Sequence, residues 1–253
     1  MPTCLYHYTS SKALKGMLEE VHESADNDGL LFHLCNPMQA NDKREVNFFE
    51  DYVYKGFLGD KLKKAVDNIS ESTGKPYTIS FIHHYEGSIV KNFGQRYYPH
   101  CEIPMWKIYG DDYTGIRLKF KAMELYLFFA KKSISLQKCE YATINKMKDI
   151  GKKIRKGEEN PEQLYKKSVL YKMAHWAYEN EWRAVMWAKD NDPNIEKTNN
   201  KIYSKCLIPF EYLQEITIGP KAKPEDIDYL QSLPQKRAEM RHVKIKKSKL
   251  PIN

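Results

Sequence analysis

The sequence predicts an α+β fold, a mostly antiparallel sheet with helices inserted between its strands, on three observations. Seven or so short stretches alternate apolar and polar residues with a period of two, as half-buried strands do. Helical stretches fall irregularly between them, without the regular βαβ alternation that builds a parallel sheet. The chain has 253 residues, 42% of them apolar, enough to bury a sizeable core and to favour one domain over residues 1–253.

Along the chain, Ser10 or Ser11 can cap a helix in which Leu14, Met17 and Leu18 recur at i, i+3, i+4. Residues 29–34, GLLFHL, read as a strand. The turn-rich NPMQANDKRE (36–45) leads to a helical pattern from Glu45 to about Ser70, with a break at Gly56 or Gly59. Strands follow at 77–84 (YTISFIHH) and 115–120 (GIRLKF), where Ile116, Leu118 and Phe120 alternate with charged or polar residues. Helical spacing fills most of 144–177, interrupted at GEENP. EWRAVMW (181–187), KIYSKCLI (201–208), EITIG (215–219) and RHVKIK (241–246) complete the strands. In the last, lysines alternate with Val243 and Ile245, the pattern of an edge strand guarded by charge against further pairing.

Composition narrows the function classes. Forty-one Lys and Arg against 33 Asp and Glu leave +8, concentrated at Lys152, Lys153, Arg155 and Lys156 and around Lys244 and Lys246. Such an excess suits a polyanionic partner such as nucleic acid, although a plain solvated lysine-rich face is the commoner source of it. Five scattered cysteines, never in a CxxC pair, argue against a disulfide framework and a thiolate zinc site. Without a long apolar run or a basic-then-apolar leader, the expectation is a cytoplasmic protein that makes no membrane contact.

Three stretches carry residues suited to chemistry. YENEWR (178–183) sets Glu179 and Glu181 two apart at a strand entry, so in extended chain they share a face with Arg183. Two close carboxylates push one proton affinity upward, which suits acid–base work; alternatively Arg183 and nearby lysines neutralise both in a salt-bridged strand end. MWKIYGDDYTG (105–115) sets Trp106 and Tyr109 three apart, either to stack on a planar ligand or to plug the core beneath a loop. Asn36, Asn41, Asp42 and Glu45 offer polar groups that also fit side-chain turns. His83 and His84 are adjacent and face opposite sides of a strand, so a two-histidine metal site is not expected.

LYHYTS (5–10), NPMQANDKRE, YTISF, MWKIYGDDYTGIRLKF, KMAHWAYENEWRAV and EITIGP occur in this order. Over about residues 5–220 the chain thereby resembles a bacterial and phage-associated family of domains of unknown function, leaving a basic C-terminal helix and strand at 221–253. That family is similar in layout to the ADP-ribosyltransferase superfamily, which implies a split antiparallel sheet. The resemblance also implies NAD as substrate, Glu181 gripping a ribose hydroxyl as positive charge develops, and Glu179 near the acceptor. By the same resemblance His7, with Tyr8 and Thr9 beside it, sits at the inner end of the first strand and hydrogen-bonds a ribose hydroxyl of NAD, while neighbouring backbone groups hold the nicotinamide amide. Ser80 or Tyr109 supplies the middle motif, Tyr109 or Trp106 stacks on the nicotinamide, and Arg117 or Arg183 meets the pyrophosphate. The activity implied is NAD-dependent ADP-ribosyl transfer to a nucleic acid or protein acceptor, as in a toxin or phage-defence effector. Two alternatives stay open: a catalytically inactive or regulatory nucleic-acid-binding module, and a nuclease using Asp42, Glu45, Glu179 and Glu181.

Overall fold

The computed structural model describes residues 1–19, 28–37, 67–84, 102–189, 191–198 and 201–251. Asn41, Asp42, Glu45 and Cys101 lie outside the described residues, as does the expected helix from Glu45 except its end, where residues 67–73 are helical.

Among the described residues ten strands form one sheet: β1 (Cys4–Thr9), β2 (Gly29–Cys35), β3 (Lys75–Ile82), β4 (Ile116–Lys121), β5 (Ser135–Lys138), β8 (Glu181–Ala188), β9 (Ile195–Lys197), β10 (Ile202–Pro209), β11 (Leu213–Ile218) and β12 (Lys244–Lys247). Two short strands, β6 (Glu140–Ala142) and β7 (Tyr171–Met173), pair apart from it. The order is β12-β11-β4-β1-β3-β2-β10-β9, with β8 on β3 and β5 on β8. Every pairing in the large sheet is antiparallel except β11 with β12. β12 is the expected edge strand.

The sheet divides at β3. Strand β8 pairs with β3 from Lys75 to Ile82. On the other side, β1 meets β3 at Tyr6↔Ile82 and β2 meets it at Cys35↔Thr78, one register position each. Where β1 and β2 part, the His7 side chain reaches the β3 backbone: its Nδ1–H donates to the Ser80 carbonyl at 2.9 Å.

Alternation in the strands decides which side chains form the main core. Leu5, Phe32, Phe81, Leu118 and Phe120 face helices α1 (Ser11–Glu19), α3 (Ala122–Lys131) and α6 (Pro224–Lys236), which bring Leu14, Leu18, Leu125, Phe129, Leu230 and Leu233. Each such burial stabilises the fold by roughly 1.5–3 kcal/mol. Ser10 caps α1, accepting a hydrogen bond from the Ala13 N–H at 3.0 Å. On the opposite face Cys4, Tyr6, Tyr8 and Ile82 pack against Met105 and Trp106 of α2 (Glu102–Ile108).

The stretch read as helical from 144 to 177 is an insertion of mixed structure, β6–α4–α5–β7, followed by a 3-10 turn at Ala174–Glu179. Helix α4 (Ile144–Arg155) ends in a Schellman motif: the Glu158 and Gly157 N–H groups donate to the Lys153 and Ile154 carbonyls, with Gly157 at φ +73°. Asn160 then caps α5 (Pro161–Ser168), accepting from the Glu162 N–H at 2.8 Å, with Pro161 in the first turn. GEENP is therefore a stop and restart. The C-terminal helix expected to be basic opens instead on Glu225 and Asp226 and carries a lysine only at its end, Lys236; most of the basic residues of this region follow it.

Candidate functional site

At the entry to β8 the chain builds a buried charge cluster. Glu179 ends the 3-10 turn, Asn180 takes a left-handed conformation (φ 46°, ψ 50°), and Glu181 begins the strand. The Asn180 side chain donates to the His83 carbonyl at 2.9 Å, and the His83 N–H donates to the Asn180 carbonyl, which pins the reversal. The expectation that Glu179 is extended is thus corrected, yet the two carboxylates still converge. Lys172 Nζ donates to Glu179 Oε2, and to Glu181 Oε2 at 2.7 Å. Arg183, two residues along the same strand face, donates to both Glu181 oxygens at 2.7 and 3.2 Å and to the Val169 carbonyl at 2.6 Å. Glu179, Glu181 and Lys172 are each 2% exposed. Two cations and two carboxylates balance.

Their surroundings drive the two carboxyls apart. Burial opposes the Glu181 charge, but Arg183 and Lys172 outweigh it and hold the group down at about 2. Burial raises the proton affinity of Glu179, and although Lys172 and the Tyr109 hydroxyl pull it back, the nearby Glu181 adds to the rise, leaving it above the usual carboxylate value. One carboxylate stays ionised while its neighbour is the easier to protonate.

Two aromatic rings roof this cluster. The Tyr109 hydroxyl donates to Glu179 Oε1 at 2.8 Å while the residue is 38% exposed. Lys172 Nζ lies 5.6 Å from the centre of the partly exposed Trp176 ring. The Tyr141 hydroxyl accepts from the Glu181 N–H at 2.8 Å, tying β6 to the same point.

The structure does not bring His7 to these carboxylates. β3 lies between β1 and β8. Tyr6 pairs with Ile82 and Ile82 with Glu181, so these three side chains share a face, and His7, the next residue, projects to the other with Thr9. There the His7 ring packs edge-on against Phe32 and Phe81 and lines a cleft of about 380 Å³ between β1 and β2, with His33, Cys35 and Thr78. Because a carbonyl can only accept, Nδ1 carries the proton on the neutral ring. Burial lowers the His7 proton affinity more than the Ser80 carbonyl raises it.

Other expected site residues divide in the same way. Tyr8 shares the Glu181 face, but its hydroxyl is engaged with His84 Nε2 at 2.8 Å. Trp106 is fully buried, edge-on to Tyr8 at 5.1 Å, so it plugs the core and presents no ring to a ligand. Arg117 is committed to Glu102 at 3.0 Å and stacks over Tyr6. Ser80 is exposed on β3, with its carbonyl given to His7. Tyr109, rather than Ser80, therefore reaches the carboxylate pair.

Lys152, Lys153, Arg155 and Lys156 are exposed along α4, with Lys152 paired to Asp149. Lys244 is exposed on β12, while Lys246 is held by Glu215 at 2.8 Å. Among the described residues no group of three His, Cys, Asp or Glu could hold a metal ion, and no helix is long and apolar enough to cross a membrane.

Sequence reasoning missed Lys172 and Trp176. The signal was a lone lysine within LYKM, flanked by Leu170, Tyr171 and Met173, where a helical reading hid a strand.

A family described as "Protein of unknown function (DUF2971)" matches residues 105–184. That segment carries Tyr109, Lys172, Trp176, Glu179, Glu181 and Arg183, the whole of the roofed cluster. No curated protein and no solved structure matches the chain.

Proposed function

We propose that the chain is an NAD-dependent ADP-ribosyltransferase whose catalytic centre is the Glu179–Glu181 pair, on the sheet face opposite His7. One observation supports this reading: two carboxylates of opposed proton affinity meet one ammonium beneath a partly exposed aromatic roof. NAD supplies a ribose whose bond to nicotinamide breaks with positive charge developing on the sugar. A carboxylate held ionised in water-excluded surroundings stabilises such charge far better than one in water, and Glu181 is that group. Glu179, the easier to protonate, suits the acceptor's proton. Tyr109 offers its ring for stacking and must swing its hydroxyl off Glu179 to admit a ligand.

The test is nicotinamide release and label transfer by the purified chain. Glu179→Gln should cut transfer roughly 10²-fold, the scale of losing one general base, and hydrolysis only a few-fold. Intact NAD with every acceptor offered would contradict the proposal. Salt-sensitive nucleic-acid binding without turnover would indicate the inactive module instead.

The exposed basic face of α4 is the surface this reading assigns to a polyanionic acceptor. Reversing Lys152, Lys153, Arg155 and Lys156 to Glu should weaken binding to a single-stranded oligonucleotide and flatten its log–log salt dependence by roughly 0.7 for each phosphate no longer neutralised. Unchanged binding would mark the face as merely solvated.

A further inference from the structure

We propose that Lys172 is a positioning residue of the carboxylate pair, an ammonium that fixes Glu179 and Glu181 to one point and decides how they share a proton. An ammonium removed from water costs several kcal/mol unless it is well paired. At 2% exposure Lys172 meets that requirement with two carboxylates at once. It comes from β7, outside the large sheet, so its reach to the entry of β8 is a tertiary contact that also ties the basic insertion to the pair.

The two carboxylates depend on Lys172 unequally. Glu181 has Arg183 as a second cation, whereas Glu179's other hydrogen bond comes from the neutral Tyr109 hydroxyl. Removing the Lys172 charge therefore falls hardest on Glu179. The groups facing Glu179 are then Glu181 from β8 and Tyr109 following α2, with Arg183 and Tyr141 of β6 acting through Glu181. A buried carboxylate facing another with its cation gone retains its proton to higher pH. That the pair is catalytic rests on the proposed activity; that Lys172 governs its proton does not.

The experiment follows the Glu179 carboxyl by carbon-13 NMR across pH in the full chain. Lys172→Met should move its titration midpoint upward, and Lys172→Arg should bring it back toward wild type. The pH profile of NAD cleavage should move in the same direction. An unmoved midpoint in folded Lys172→Met overturns the role of Lys172 whether or not NAD is cleaved. Absence of NAD cleavage in wild type contradicts the transferase and leaves the titration result standing. If Lys172→Met does not fold, the wild-type protein decides: the Lys172 ammonium nitrogen-15 signal should shift with the Glu179 midpoint, and a signal flat through that titration overturns the proposal.

Discussion

Glu181→Gln should leave NAD binding in place and slow its cleavage by about 10²-fold or more, the scale of losing one preorganised electrostatic interaction at a transition state. Glutamine keeps the size and shape of the side chain and removes the charge. An exposed ion pair at this position would make the substitution cost about 1 kcal/mol of stability at most. The pair is not exposed. Glu181 accepts from Arg183 and Lys172 at 2% exposure, and removing one partner of a buried pair leaves cations uncompensated at about 3–5 kcal/mol. Turnover and melting temperature must therefore be read together, with rates compared where circular dichroism shows both proteins folded. A folded Glu181→Gln protein with wild-type turnover would leave Glu181 a structural residue.

Acid should destabilise the wild-type protein more steeply than Glu181→Gln. The folded Glu181 carboxyl is held at about 2, below its ordinary value of 4.5, so the unfolded chain binds the proton more readily. The stabilisation is complete above the ordinary value and is lost as pH falls from there through about 2. A shift of that size corresponds to roughly 3 kcal/mol, and Glu181 is buried, so solvent screening takes little from it. Glu179 works in the opposite sense. Its folded proton affinity is raised, so its contribution is present at low pH and lost as pH rises through its folded value. Melting curves of both proteins between pH 5 and 2, roughly the window these values define, should converge on acidification. Parallel curves would mean that Glu181 is not held ionised by its neighbours.

How far the sequence could be read depended on the range of the signal. GIRLKF showed β4 because Ile116, Leu118 and Phe120 pack one face and Arg117 the other, a period written in the residues themselves. The spacing in YENEWR likewise showed Glu181 and Arg183 on one face. What it could not show was tertiary. A left-handed Asn180 returns Glu179 to Glu181 from a 3-10 turn, and Lys172 arrives from a three-residue strand too short to display a period. His7 was misplaced for a related reason: the motif LYHYTS does not say which of its alternating residues faces the later glutamates. The register Tyr6↔Ile82↔Glu181 does, and it selects Tyr6 and Tyr8.

Where NAD binds decides between the two candidate sites, because Glu181 and His7 project from opposite faces of one sheet. In a crystal structure of the NAD complex, the Tyr109 hydroxyl should have left Glu179, the nicotinamide should lie against the Tyr109 or Trp176 ring, and a ribose hydroxyl should be within hydrogen-bond distance of Glu181. NAD seated instead between β1 and β2 against His7, with the Glu179–Lys172–Glu181 cluster still closed, would contradict it.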